Sequence, residues 1–186
     1  MRNENNQKIY ALAGVMGGIS FAGAYLFGSG LTIATGIPIM SATVNGFWVG
    51  LMISTTLLLL KKYKFIATSM MLVYGLAATF TVLLGPPGWY KIPIALIMGF
   101  CWDISYKLLP NLLGQIIGSV LFMTSGILLI VFALQIQGSP AADKILVALP
   151  YLLSISISTA LVGSILGHTV IGKRISKLPI VKRIIG

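Results

Sequence analysis

One acid lies inside an apolar stretch of this chain. It is Asp103, in Ile92-Pro-Ile-Ala-Leu-Ile-Met-Gly-Phe-Cys-Trp-Asp-Ile-Ser-Tyr-Lys107. An ionisable group in hydrocarbon costs about 2.5–3.5 kcal/mol on insertion scales, so it needs a partner or a purpose. Lys107 follows four residues later, in the acid-first order that favours a helical pair. Two readings stand: an intramembrane ion pair between Asp103 and Lys107, or a binding or relay carboxylate. No second acid lies in an apolar segment, which argues against a two-carboxylate hydrolase or a metal-dependent transferase. His168 is the single histidine, with no cysteine or second histidine near it, so neither a metal site nor a serine triad is expected. Gly167-His-Thr-Val-Ile-Gly-Lys-Arg174 approaches a phosphate loop. Arg174 stands where that loop needs Ser or Thr, and an apolar run precedes it instead of a strand. No cofactor, metal or catalytic constellation is expected.

A second set of residues is suited to binding. Asn45 and Trp48 open one apolar segment, and Trp89, Tyr90 and Lys91 open another. Gln135 closes a third, and Tyr151 stands in the outer part of the last. Aromatic walls with a few amides suit a flat, partly polar small molecule. An aromatic belt at the membrane interface would explain the rings but not the amides. A third set is small: Ala13, Gly14, Gly17 and Gly18 form two interleaved small-xxx-small pairs that let helix backbones approach closely. They could dock a partner subunit or pack inside the chain's own bundle. The stripes Ser156, Ala160, Gly163, Gly167 and Gly114, Gly118 are assigned mainly to internal packing.

The elements that position these residues follow from composition. The chain is 57% hydrophobic and 9% charged, with mean hydropathy +0.98. A soluble domain carries roughly 25% charged residues, so this is an integral membrane protein. Continuous apolar runs exclude the alternation of a β-barrel. Six spans are expected, at about 9–27, 44–60, 65–84, 92–109, 112–134 and 145–167, forming one compact all-α membrane domain over 1–186. A basic tail covers 168–186. Gly28-Ser-Gly30, Lys61-Lys-Tyr-Lys64, Gly85-Pro-Pro-Gly88 and Pro110-Asn111 are the breaks.

Charge orients the bundle. With six spans, one side holds Arg2, Lys8, Lys61, Lys62, Lys64, Lys107, Lys173, Arg174, Lys177, Lys182 and Arg183. The other side holds only Lys91 and Lys144. The asymmetry places both termini in the cytoplasm of a multi-pass cell-membrane protein. The net charge of +10 is thereby referred to topology and lipid head groups and not to nucleic acid. Arg2, Lys8 and Ala22-Gly-Ala24 imitate a cleaved leader, but Glu4 and the long apolar run favour a retained helix. Cys101 is the lone cysteine and can form no internal disulfide. The uncharged, Gly- and Pro-broken connection 28–43 lies outside and reads as a lid or re-entrant loop.

Together these features resemble the substrate-binding S component of an energy-coupling factor (ECF) vitamin transporter. The resemblance rests on six spans in under 200 residues and on both termini inside. It rests also on Ala11, Ala13, Gly14 and Gly17 in the first span, on the long apolar first loop, and on Gly85-Pro-Pro-Gly88-Trp-Tyr-Lys-Ile-Pro-Ile-Ala with Gly99 and Asp103. The family form on the first helix is Ala-x-x-x-Ala, where this chain has Ala13-x-x-x-Gly17. The resemblance implies that the chain is no enzyme. It would bind a vitamin or related micronutrient under the first loop and join a transmembrane coupling subunit and two ATPase subunits. The alternatives are a membrane scaffold or assembly subunit and a membrane-embedded lipid-modifying enzyme. Binding is expected near Trp89-Tyr90-Lys91, with Asp103 a structural or conformational element.

Overall fold

A computed structural model describes residues 2–30, 39–81, 86–139, 141–179 and 181. Six helices carry the described chain. α1 runs Arg2–Gly23 and continues as π-helical turns over Ala24–Ser29. α2 is Ile39–Leu59, α3 is Ile66–Ala78, α4 is Lys91–Leu108 and α5 is Leu112–Ile136. α6 begins at Ala141–Leu166 and passes through π-helical turns at Gly167–Gly172 to a last turn, Lys173–Ile175.

Several boundaries moved from their expected places. Of the connection 28–43, residues 28–30 finish α1, and helix resumes at Ile39. Residues 31–38, where the lid was expected, lie outside the described residues. The third segment, expected over 65–84, keeps regular helix only to Ala78 and turns at Thr79–Thr81; 82–85 lie outside the described residues. Helix also extends eight residues into the expected basic tail.

The helices close a ring in the order α1, α3, α4, α5, α6, α2 and back to α1. Three seams dominate it. α2 packs on α6, where Gly46, Gly50, Gly163 and Gly167 let the backbones meet: a Cβ on Gly50 would lie 2.7 Å from the Ala160 carbonyl, and one on Gly163 would fall on the Phe47 carbonyl. Thr55 adds a hydroxyl bond to the Gly167 carbonyl at 3.2 Å. α4 packs against both α3 and α5, and Gly118 of α5 makes room for the Trp102 ring.

The distribution of polarity is that of a protein in lipid. Outward faces carry Val15, Leu26, Phe80, Phe132, Val147 and Val162, all exposed, while Ser20, Ser54, Thr56, Gln115, Ser119 and Ser164 are buried. Water rewards the reverse arrangement. In hydrocarbon, apolar faces cost nothing and hydroxyls go inside to find partners. Thr56 donates to the Met52 carbonyl at 2.8 Å and Ser54 to the Ser164 carbonyl at 2.9 Å. Among the described residues, three helical stretches, Asn6–Gly28, Leu112–Ile136 and Ile145–Ile175, are long and apolar enough to cross a bilayer.

Candidate functional site

α3 is short. Its 13 residues span about 20 Å at 1.5 Å per residue, against a hydrocarbon core of roughly 30 Å. Both of its ends leave backbone groups without an intrahelical partner, and a helix this short cannot carry both ends to water across a full hydrocarbon core. The sequence offers no local cap: the residue before the helix is Phe65, in the left-handed region at φ 58°, with no side-chain hydrogen bond to the first turn.

α4 caps α3 at both ends. At the N-terminus, the Ala67 N–H donates to Asp103 Oδ1 at 3.0 Å. The Thr68 N–H donates to Oδ2 at 2.8 Å, and the Thr68 hydroxyl to the same oxygen at 2.7 Å. At the C-terminus, Lys91 Nζ donates to the Ala78 carbonyl at 3.0 Å and the Thr81 carbonyl at 2.6 Å. The Gly88 N–H, just before α4, donates to the Thr79 carbonyl at 3.0 Å. A carboxylate therefore meets the positive end of the α3 dipole and an ammonium its negative end. Hydrogen bonds to charged groups contribute about 1.5–3 kcal/mol each.

The reach works because the lengths match. Lys91 and Asp103 are twelve residues apart on α4, about 18 Å. They stand on one face in Lys91-x-x-x-Ala95-x-x-x-Gly99-x-x-x-Asp103, where the middle positions are small. A Cβ on Gly99 would lie 2.7 Å from Thr68 Cα, and one on Gly75 would lie 2.7 Å from Ala95 Cβ. Without side chains there, the helices come close enough for the two charges to close over the ends of α3.

This overturns two expectations. The Asp103–Lys107 ion pair does not form: Lys107 is exposed, and the carboxylate turns to α3, where two fixed N–H groups and a hydroxyl receive it. Lys91 does not line an open binding wall. It is fully buried, with its ammonium on α3.

The other expected binding residues fall into three groups. Trp48, beside half-buried Asn45 on α2, belongs to the α1–α2 contact. Its Nε1 donates to the Ile19 carbonyl at 3.4 Å, its ring covers Gly23, and Phe27 lies 6.0 Å away. Trp89 and Tyr90 belong with Lys91. Trp89 is 68% exposed and edge-on to Phe80, and the Tyr90 hydroxyl donates to the Pro86 carbonyl at 2.8 Å. Gln135 and Tyr151 are exposed on the outside.

The small quartet on α1 also divides. Ala13 is fully buried, and a Cβ on Gly17 would fall on the Met70 carbonyl, so both serve the contact with α3 and are not available to a partner. Gly14 has an ordinary contact with Val73, and a Cβ on Gly18 would meet nothing within 4 Å. Sequence reasoning also missed a polar bridge deeper in the bundle. Trp102 Nε1 donates to Gln115 Oε1 at 2.8 Å, and Ser164 Oγ donates to the Gln115 carbonyl at 3.3 Å, tying α4, α5 and α6.

Fold and site together define a helical membrane protein whose shortest helix is held at both ends by charges of its neighbour. The chain matches no protein-family model, and no curated protein or solved structure is significantly similar to it.

Proposed function

We propose that the chain is the substrate-binding subunit of an importer of the energy-coupling factor type, with six spans and both termini in the cytoplasm. It binds a vitamin-like ring compound from outside and delivers it through a coupling subunit and two ATPases. The observation that carries this reading is α1. Its Ala13 and Gly17 face are used inside the bundle, while Gly18, with Gly14 beside it, leaves the same helix smooth on the outside. A helix of this kind at the rim suits close docking of another membrane helix. The alternation of the six helices, with exposed cations at their ends on one side, supports the topology. Asn45 and Trp48, near the start of α2, and Trp89 and Tyr90, before α4, are the binding residues of this reading. Lys91 acts behind them as the anchor of α3.

The reading is tested with purified protein and a panel of vitamins in thermal unfolding. A specific ligand at 100 times its Kd raises stability by about 2.7 kcal/mol. Trp48→Ala and Trp89→Ala should reduce that shift. Gly18→Leu should leave unfolding unchanged and abolish co-purification with a coupling subunit. A protein that no vitamin stabilises and whose Gly18→Leu variant assembles normally would refute the transport assignment.

A further inference from the structure

The basic end of the bundle carries a pattern beyond charge. The turn after α2 presents Lys61, Lys62 and Lys64, and the end of α6 presents Lys173, Arg174 and Lys177, all exposed. These two turns leave one helix pair: a Cβ on Gly172 would lie 2.7 Å from Leu58 Cδ2, and Thr55 bonds the Gly167 carbonyl. The Tyr10 hydroxyl, donating to the Lys64 carbonyl at 3.0 Å, fixes α1 beside them. Of the acids whose side chains are described, Asp103 is buried against α3 and Asp143 stands at the opposite end.

Lys107, exposed at the end of α4 whose Asp103 reaches Ala67, joins these six, and three of the seven have an exposed apolar neighbour in sequence: Lys64 beside Phe65 (51% exposed), Lys107 beside Leu108 (73%) and Lys177 beside Leu178 (49%). A surface built for a soluble polyanion has no use for unburied Phe and Leu beside its lysines. The boundary between head groups and acyl chains uses both at once, phosphate for the ammonium and hydrocarbon for the ring or isobutyl group. We propose that this end of the bundle is a binding surface for anionic phospholipid head groups. Lys64, Lys107 and Lys177 contact phosphates there, and Phe65, Leu108 and Leu178 enter the acyl boundary. This rests on the membrane character of the chain and not on the transport reading.

The test uses the full chain in nanodiscs of equal parts phosphatidylcholine and phosphatidylglycerol, with retained lipids identified by native mass spectrometry. The protein should enrich phosphatidylglycerol. Each neutralised cation should weaken the preference by about fivefold, so Lys64→Gln, Lys107→Gln and Lys177→Gln together should abolish it. The corresponding Lys→Arg triple variant should keep it. Raising salt to about 1 M, where the Debye length falls to about 3 Å, should erode it in the unaltered protein, a readout that needs no variant. Retention of both lipids in bulk proportion, a preference unaffected by salt, or equal enrichment by the Gln and unaltered proteins would overturn the proposal. Displacement of the lipid by a short RNA duplex at equal phosphate concentration would overturn it too, assigning the surface to nucleic acid.

Discussion

The α3–α4 contact and the α2–α6 contact solve the same packing problem by different means. Between α2 and α6, glycines remove side chains so that backbones meet, and hydroxyls fill the remaining needs. Between α3 and α4, small residues also bring the axes together, but two charged side chains finish the contact. The difference follows from length. α2 has 21 residues and α6 continues past 26, so their ends can approach the membrane surfaces. α3 has 13, about 20 Å, too few to carry both ends across a hydrocarbon core of roughly 30 Å, so its orphan N–H and carbonyl groups take partners from the protein. Charge is used where the backbone is unfinished, and small residues where it is complete.

The comparison breaks if the charges matter less than the glycines. Asp103→Ala removes three hydrogen bonds and leaves two N–H groups unmade, one buried and one half-buried, at about 1–3 kcal/mol each. We expect a loss of about 3–5 kcal/mol. At about 2–4 °C per kcal/mol for a chain of this size, thermal unfolding in detergent should fall by roughly 10 °C or more. Asp103→Asn keeps a carbonyl acceptor and should recover part of the loss. Lys91→Met keeps the apolar stem but strips the ammonium from the Ala78 and Thr81 carbonyls, costing about 2–3 kcal/mol. Hydrogen exchange should then rise at the end of α3 before it rises elsewhere. An Asp103→Ala protein as stable as the unaltered chain would show that α3 needs no cap.

The glycine seam should be the softer of the two. Gly50→Ala places a methyl group 2.7 Å from the Ala160 carbonyl, and the backbone must shift to admit it. Overpacking of this kind costs about 1–3 kcal/mol. Thermal unfolding of Gly50→Ala should therefore fall between that of the unaltered protein and that of Asp103→Ala. The reverse order would mean that steric fit dominates both contacts.

Much of the architecture was legible because lipid imposes long apolar runs, and charges and Gly-Pro pairs mark where they stop. The number of helices and their order came from Lys61-Lys-Tyr-Lys64, Gly85-Pro-Pro-Gly88 and Pro110-Asn111. The shortness of α3 was not legible. Its apolar composition continues beyond Ala78, and only the turn at Thr79–Thr81 shows where the helix stops. Asp103 stood out as an acid needing a partner, yet one dimension offers only neighbours on the same helix. Lys107 was the visible candidate, while Ala67 and Thr68 lie more than thirty residues upstream. The spacing Lys91, Ala95, Gly99, Asp103 was present to be read: charge, small, small, charge along one face marks a helix built to hold a shorter one. Gln115 gave no such signal, because an amide in an apolar run looks the same whether it meets Trp102 or a ligand.

The smallest expected effect separates the two accounts of Asp103 most cleanly. If Asp103 were stabilised by Lys107, removing either residue would leave the other's charge uncompensated, and the two losses would resemble each other. With Asp103 on the first turn of α3, Lys107 is an exposed cation at the end of α4, where its interaction with the helix dipole contributes only about 0.3–1 kcal/mol. Lys107→Gln should therefore shift thermal unfolding by no more than about 2–4 °C, the equivalent of 1 kcal/mol at this size. The double variant Asp103→Asn/Lys107→Gln should show the sum of the two single effects, since the residues share no partner. A Lys107→Gln loss as large as that of Asp103→Asn, with strong coupling in the double variant, would return the carboxylate to Lys107 and leave the start of α3 without its cap.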